Sequence, residues 1–153
     1  MNTEIFRRYS WLIILVLLVL AGGFFFLYRL YQNDIKVLAD FVTSYQKFDT
    51  AMSDYSVSLS DTIGEKAGAV LTELTTKADF RISSLIKNDG ELMNQAREIA
   101  DLARKELDSL KVYKGASISK NVDVVGLVKA YRELTSRRKA AYAHFQELAG
   151  MKD

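Results

Sequence analysis

Residues 9–28 read YSWLIILVLLVLAGGFFFLY, and they decide the architecture. The stretch carries no charge, and 17 of its 20 residues are apolar. Wound as a helix at ~1.5 Å per residue it spans ~30 Å, the thickness of a bilayer's hydrocarbon core. Tyr9 and Trp11 stand at one end, Tyr28 and Tyr31 at the other. Such amphipathic rings prefer the headgroup level, and Arg7, Arg8 and Arg29 bracket them with side chains long enough to reach water. We expect a short tail (1–8) and then one transmembrane helix (9–31) contacting the lipid bilayer.

A cleavable signal peptide would use Arg7-Arg8 as its charged region and Ala21-Gly22-Gly23 as its cleavage site. Cleavage there would leave a mature chain beginning Phe24-Phe25-Phe26-Leu27, with the apolar run cut in its middle. A twin-arginine signal fits poorly, because Tyr9-Ser10-Trp11 follows the pair. A type IV prepilin also fits poorly, because the apolar stretch precedes Gly23 instead of following it. An uncleaved signal-anchor is the better reading. For orientation, Arg7, Arg8 and the amino terminus nearly balance Arg29 and Lys36. The adjacent pair and the short tail favour a cytoplasmic N-terminus, with the rest of the chain extracytoplasmic (periplasmic if bacterial). Gly22-Gly23 forms no GxxxG motif.

Outside this segment the composition changes. The first 31 residues hold 22 of the chain's hydrophobic residues, and the other 122 hold 53. Those 122 carry 18 basic and 18 acidic side chains, an ordinary globular balance that excludes a disordered polyelectrolyte. The chain has no cysteine, which removes disulfides and thiolate chemistry. It also has no proline, so long uninterrupted helices are permitted.

Beyond Gln32 the apolar residues keep helical spacing. One stripe runs Ile35, Leu38, Val42, Tyr45, Phe48, Met52, Tyr55, Leu59. A second runs Ile63, Ala67, Val70, Leu74, Ala78, Ile82, Leu85, and a third Leu92, Ala96, Ile99, Ala103, Leu107, Leu110. The last runs Val124, Leu127, Val128, Tyr131, Leu134, Tyr142, Phe145, Leu148. No stretch alternates with period two, so no sheet is expected. Asn88-Asp89-Gly90 and Lys114-Gly115 mark helix ends, with Asp89 and Asp123 as candidate caps. Thr62-Ile63-Gly64-Glu65 reads as a capping box, yet no glycine or proline stops the preceding helix.

The expected fold is therefore all-α: a transmembrane helix continuing into an antiparallel bundle over residues 32–149. Four helices at about 33–60, 62–88, 91–113 and 123–149 are preferred. The alternative fuses the first two into one long helix followed by a helical hairpin or coiled coil. Residues 34–65 carry a net charge of −4 and the last helix +3, so these two helices can pair within one bundle or across a dimer.

The catalytic inventory is thin. His144 is the only histidine, and the position three before it is Ala141, so the Glu-x-x-His pattern of di-iron bundles is missing. One imidazole and no thiolate do not make a zinc site. Gly64, Gly68 and Gly90 fit no phosphate-binding loop, and the serines lack a base. We expect no enzyme, no cofactor and no metal. The remaining surface candidate is Arg132, Arg137, Arg138 and Lys139, interleaved with Tyr131 and Tyr142. It suits phosphate, anionic lipid or an acidic partner helix, against the plain alternative of a solvated face. Near-zero charge in the domain argues against nucleic acid. Phe41, Tyr45, Phe48 and Tyr55 at helical spacing are core candidates before they are a ligand pocket.

Two functions follow. The first is a single-pass membrane protein whose helical domain is a structural or protein–protein interaction module, binding itself or another membrane or envelope protein. The second is a sensory or ligand-binding module that signals through a partner. It resembles in outline the extracytoplasmic half of bacterial four-helix-bundle receptors, a likeness of shape alone.

Overall fold

With no proline anywhere and no charge between Arg8 and Arg29, nothing interrupts helical hydrogen bonding in the first fifty residues. The computed structural model describes residues 3–116 and 123–151, with side chains from Trp11 onward except Ile13. In it α1 runs unbroken from Thr3 to Ser58, ~84 Å at 1.5 Å per residue. It is followed by α2 (Asp61–Ala78), α3 (Asp89–Ala116) and α4 (Val124–Leu148), with no strand among the described residues. The protein is all-α, an apolar N-terminal helix leading into an antiparallel four-helix bundle.

Helix α1 changes character partway along. Every described side chain from Trp11 to Arg29 is exposed, and this is a helix long and apolar enough to cross a membrane. From Asp34 onward one face is buried: Asp34, Leu38, Phe41, Ser44, Tyr45, Phe48, Ala51, Met52 and Tyr55. Steps of three and four keep these residues on one side of the helix. Two positions of the expected stripe are displaced. Ile35 is exposed and Val42 only half-buried, their places taken by Asp34 and Phe41.

The first boundary settles the choice between architectures in favour of four helices. Leu59 takes a left-handed conformation (φ 50°), and its N–H donates to the Tyr55 carbonyl at 2.8 Å. Neither glycine nor proline was needed. Half-buried Leu59 packs against the core, and that contact holds a conformation that otherwise costs about 1–2 kcal/mol. Helix α2 then begins at Asp61 with Ser60 before it, so Thr62 lies inside the helix and makes no capping box.

Helix α2 stops at Ala78, ten residues short of the expected end. Carried on to residue 88, a helix would project past the bundle and leave Phe80 and Ile82 without cover. Instead residues 79–88 form an irregular connection, and both side chains fold onto the open end of the core. Phe80 meets Phe41 edge-on at 5.9 Å. The connection ends at Asn88, in the left-handed region (φ 62°), whose carbonyl accepts from the Leu92 N–H. Asp89 is the first residue of α3. All six residues of the expected third stripe are buried, joined by Ala100, Leu102 and Glu106. At α4 the Asp123 carboxylate accepts from the Gly126 N–H at 2.9 Å, the expected cap. A Cβ at Gly126 would collide with that carboxylate. The expected polar connection Ser117–Asn121 lies outside the described residues.

Cross-helix contacts give the order of the bundle. Lys47 pairs with Glu73 and Lys77 with Asp40, so α2 runs back along α1. Arg97–Asp79 and Lys114–Asp61 set α3 antiparallel to α2. Arg138–Glu106 and the weak His144–Glu91 contact set α4 antiparallel to α3. Apart from the buried Arg138–Glu106 pair, these contacts report register more than they stabilise, since exposed ion pairs contribute only ~0–1 kcal/mol. The ring closes between α4 and α1 through large side chains: Tyr45 stacks on Tyr142 at 3.6 Å, and Phe41 meets Phe145 at 4.9 Å. At the α1–α2 seam Gly64 lies under the Tyr55 ring, where a Cβ would come within 2.9 Å. Gly68, one turn on, faces open space.

Candidate interaction surface

Of the expected membrane-interface residues, Trp11, Tyr28, Arg29 and Tyr31 have described side chains, and all four are exposed on α1. The side chains of Arg7, Arg8 and Tyr9 lie outside the described residues. At the other end of the chain the four expected surface cations part company. Arg132, Arg137 and Lys139 are exposed on the outer face of α4, together with Lys129. None of these four makes an ion pair among the described residues, although the exposed Glu133 lies one turn from both Lys129 and Arg137. Arg138 does not belong to this face. Its side chain is 1% exposed, among the most deeply buried in the protein.

The correction follows from helix geometry. Successive side chains leave a helix about 100° apart, so Arg137, Arg138 and Lys139 cannot share one face. Position 138 falls midway between Leu134 and Tyr142, four residues from each, and so lies on the apolar stripe. That gap in the stripe was the available signal.

Burial of the guanidinium is matched by partners from two other helices. Its Nε donates to Glu106 Oε2 on α3, Glu106 itself being fully buried. One Nη donates to the Tyr45 hydroxyl at 2.7 Å and the other to Asp49 Oδ1 at 2.7 Å, both on α1. Thr135 donates its hydroxyl to Glu106 Oε1 at 2.7 Å. The guanidinium carbon also lies 5.2 Å from the Tyr45 ring centroid and 5.4 Å from that of Phe48, cation–π distances. Burial disfavours the charge on Arg138, but the hydrogen bonds and charge of Glu106, then Tyr45 and Asp49, hold it above its ordinary range. Burial likewise pushes the Tyr45 phenol well above its ordinary value, the Arg138 charge only partly offsetting it.

Chemically the cluster is largely satisfied. Nε and both terminal nitrogens of Arg138 are engaged, and both oxygens of Glu106 accept. The cleft over Arg138, Glu106, Asp49 and Lys139 measures about 210 Å³, smaller than the ~300–1,000 Å³ usual for a small-molecule site. Its role is to join α1, α3 and α4. The expected pairing of the acidic first helix with the basic last one is thus realised inside one chain, through Arg138 and Asp49.

The aromatic residues considered for a ligand pocket are core: Phe41, Tyr45, Phe48 and Tyr55 are all at most 4% exposed. His144 is exposed, its Nε2 3.4 Å from Glu91 and its Nδ1 3.9 Å from Glu147. Among the described residues no three histidine or carboxylate side chains converge as metal ligands. In comparisons with known proteins, no family model, no curated protein and no solved structure matches the chain.

Proposed function

We propose that this protein is a single-pass membrane-anchored helical module whose work is protein–protein interaction, with no catalytic step of its own. The observation that carries the reading is the continuity of α1. One helix passes from a segment exposed on all sides to become one of the four packed helices of the bundle, with no break where its surroundings change. An anchor built this way holds the bundle stiffly at the bilayer, which suits a scaffold. In this reading the N-terminus with Arg7 and Arg8 is cytoplasmic and the bundle extracytoplasmic.

The partner is another copy of the chain or another membrane or envelope protein with an acidic face. The outer surface of α4 supports this choice, because Lys129, Arg132, Arg137 and Lys139 stand exposed there against the single acid Glu133. Since the sequence has no cysteine, Arg137→Cys places a unique crosslinking handle on that surface. In native membranes we expect alkali-resistant association and one discrete crosslinked product. The product should be lost when Arg132→Glu is added. A chain extracted by alkali removes the anchor. A monomer at every handle position, together with stabilisation by one class of metabolite in a thermal-shift screen, replaces interaction with sensing.

A further inference from the structure

The irregular connection between α2 and α3 lies beside the part of α1 that leaves the apolar segment. Lys77, at the end of α2, pairs with Asp40, and six residues later Ser83 donates from both its N–H and its hydroxyl to Asp34. From the end of α2 the chain therefore runs along α1 by six residues, ~9 Å, toward the apolar helix. Asp34 is three residues beyond Tyr31, about 5 Å along the axis, whereas the polar zone of one leaflet is itself about 5–8 Å deep.

What the connection presents there is unlike the rest of the bundle surface. Phe80 and Ile82 are buried and the Asp34–Ser83 bonds tie the backbone down, so its outward side chains are held in place. Those side chains are Arg81, Leu85 and Lys87, all exposed, Leu85 at 45%. Residues 80–88 contain no acid, and neither Arg81 nor Lys87 forms an ion pair among the described residues. Exposed Arg29 and Lys36 on α1, five residues before Asp34 and two after it, add two more cations along this stretch. Of the acids nearby, Asp34 is engaged by Ser83 and Asp79 by Arg97, while Glu91 and Glu147 are half-exposed and only approach His144, at 3.4 and 3.9 Å. Asp89 at the start of α3 is half-buried.

We propose that the 80–88 connection is a second membrane contact: Arg81 and Lys87 bind the phosphates of anionic lipids, and Leu85 enters the headgroup layer beside α1. The bundle is then held at two points and cannot pivot about the single anchor. A basic pair flanking one exposed leucine matches the chemistry of an anionic interface, where each cation near the surface gains by attraction and an apolar side chain gains by partial burial. The inference rests on α1 being a membrane anchor.

The test uses the full chain in nanodiscs, with one fluorophore at a time attached through Ser84→Cys, Val19→Cys or Val125→Cys. Nitroxide quenchers are placed on lipid headgroups or acyl chains. In discs rich in phosphatidylglycerol, the probe at 84 should be quenched by headgroup nitroxide, that at 19 by acyl-chain nitroxide, and that at 125 by neither. At ~1 kcal/mol per cation, Arg81→Gln with Lys87→Gln should lower the docked-to-free ratio at position 84 about 30-fold. High salt or pure phosphatidylcholine should act in the same direction. If the probe at 84 behaves like that at 125 while the one at 19 stays quenched, the second contact is refuted and the anchor stands. If the probe at 19 is unquenched, the anchor fails and the second contact with it. Equal quenching at 84 with and without the two cations also refutes the proposal, since proximity alone then explains it.

Discussion

Replacing Arg138 by methionine tests whether the buried cluster holds the bundle together. The substitution keeps a long side chain in the core but leaves the Glu106 carboxylate, 0% exposed, without its cation. Asp49 lies partly in solvent, its side chain 40% exposed, and loses little. The cost is therefore that of stranding one buried charge, about 3–5 kcal/mol. Against a total stability of about 5–15 kcal/mol for a domain of this size, that is about a fifth or more of what holds the bundle folded. With a urea dependence of about 2 kcal/mol per molar, the midpoint should fall by about 2 M. The assay is urea unfolding of the full chain in nanodiscs, followed by far-ultraviolet circular dichroism and by the near-ultraviolet tyrosine signal from the stacked Tyr45–Tyr142 pair. Adding Glu106→Met removes the stranded charge and should restore the midpoint to within about 1 kcal/mol of the parent, because an apolar replacement of a buried ion pair is often neutral or better. A loss below about 1 kcal/mol for Arg138→Met alone would mean that water reaches Glu106. A double variant no better than the single would mean that the cost lies in packing. Either result refutes the electrostatic account.

Two further outcomes follow from the packing and the phenols. Gly64→Ala should destabilise the bundle by about 1–3 kcal/mol in the same urea assay, because the new Cβ meets the buried Tyr55 ring, while Gly68→Ala should cost nothing or stabilise slightly. The Tyr45 and Tyr142 phenols both sit above their ordinary value of 10, mainly through burial, so above pH 10 the unfolded chain releases protons that the folded chain keeps. Stability should then be insensitive to these groups below pH 10 and fall above it, by at most about 1.4 kcal/mol per pH unit for Tyr45. Phenolate absorbance should show the Tyr45 ring ionising only as the bundle unfolds and the Tyr142 ring ionising later than the exposed tyrosines. Ionisation of all eight tyrosines with an ordinary midpoint and no loss of stability would contradict the burial.

Much of the architecture could be read from residue order because helical packing writes a period into the sequence. The third stripe was read without error, since each of its positions faces the interior of one bundle and nothing else competes for them. Asp123 was equally readable, because capping is a local bond between a carboxylate and an amide three residues away. The apolar stretch 9–28 could be recognised from length and composition alone, and its described side chains are all exposed.

What local pattern left undecided was where a periodic segment stops and which polar residue turns inward. The second stripe continues in phase to Leu85, yet the helix ends at Ala78, because covering the end of the core with Phe80 and Ile82 outweighs further helical hydrogen bonds that water can replace. The turn at Leu59 has no glycine, and its left-handed backbone is held by core contacts made only after the bundle closes. Arg138 looked like one more cation in a basic run. Only Glu106, Asp49 and Tyr45, brought together from 32 to 93 residues away, make its burial tolerable. Sequence by itself determined the elements whose stabilising contacts are uniform or local. The tertiary structure decided the ends of helices and the burial of charge, because those depend on partners distant in the chain that meet only in the folded bundle.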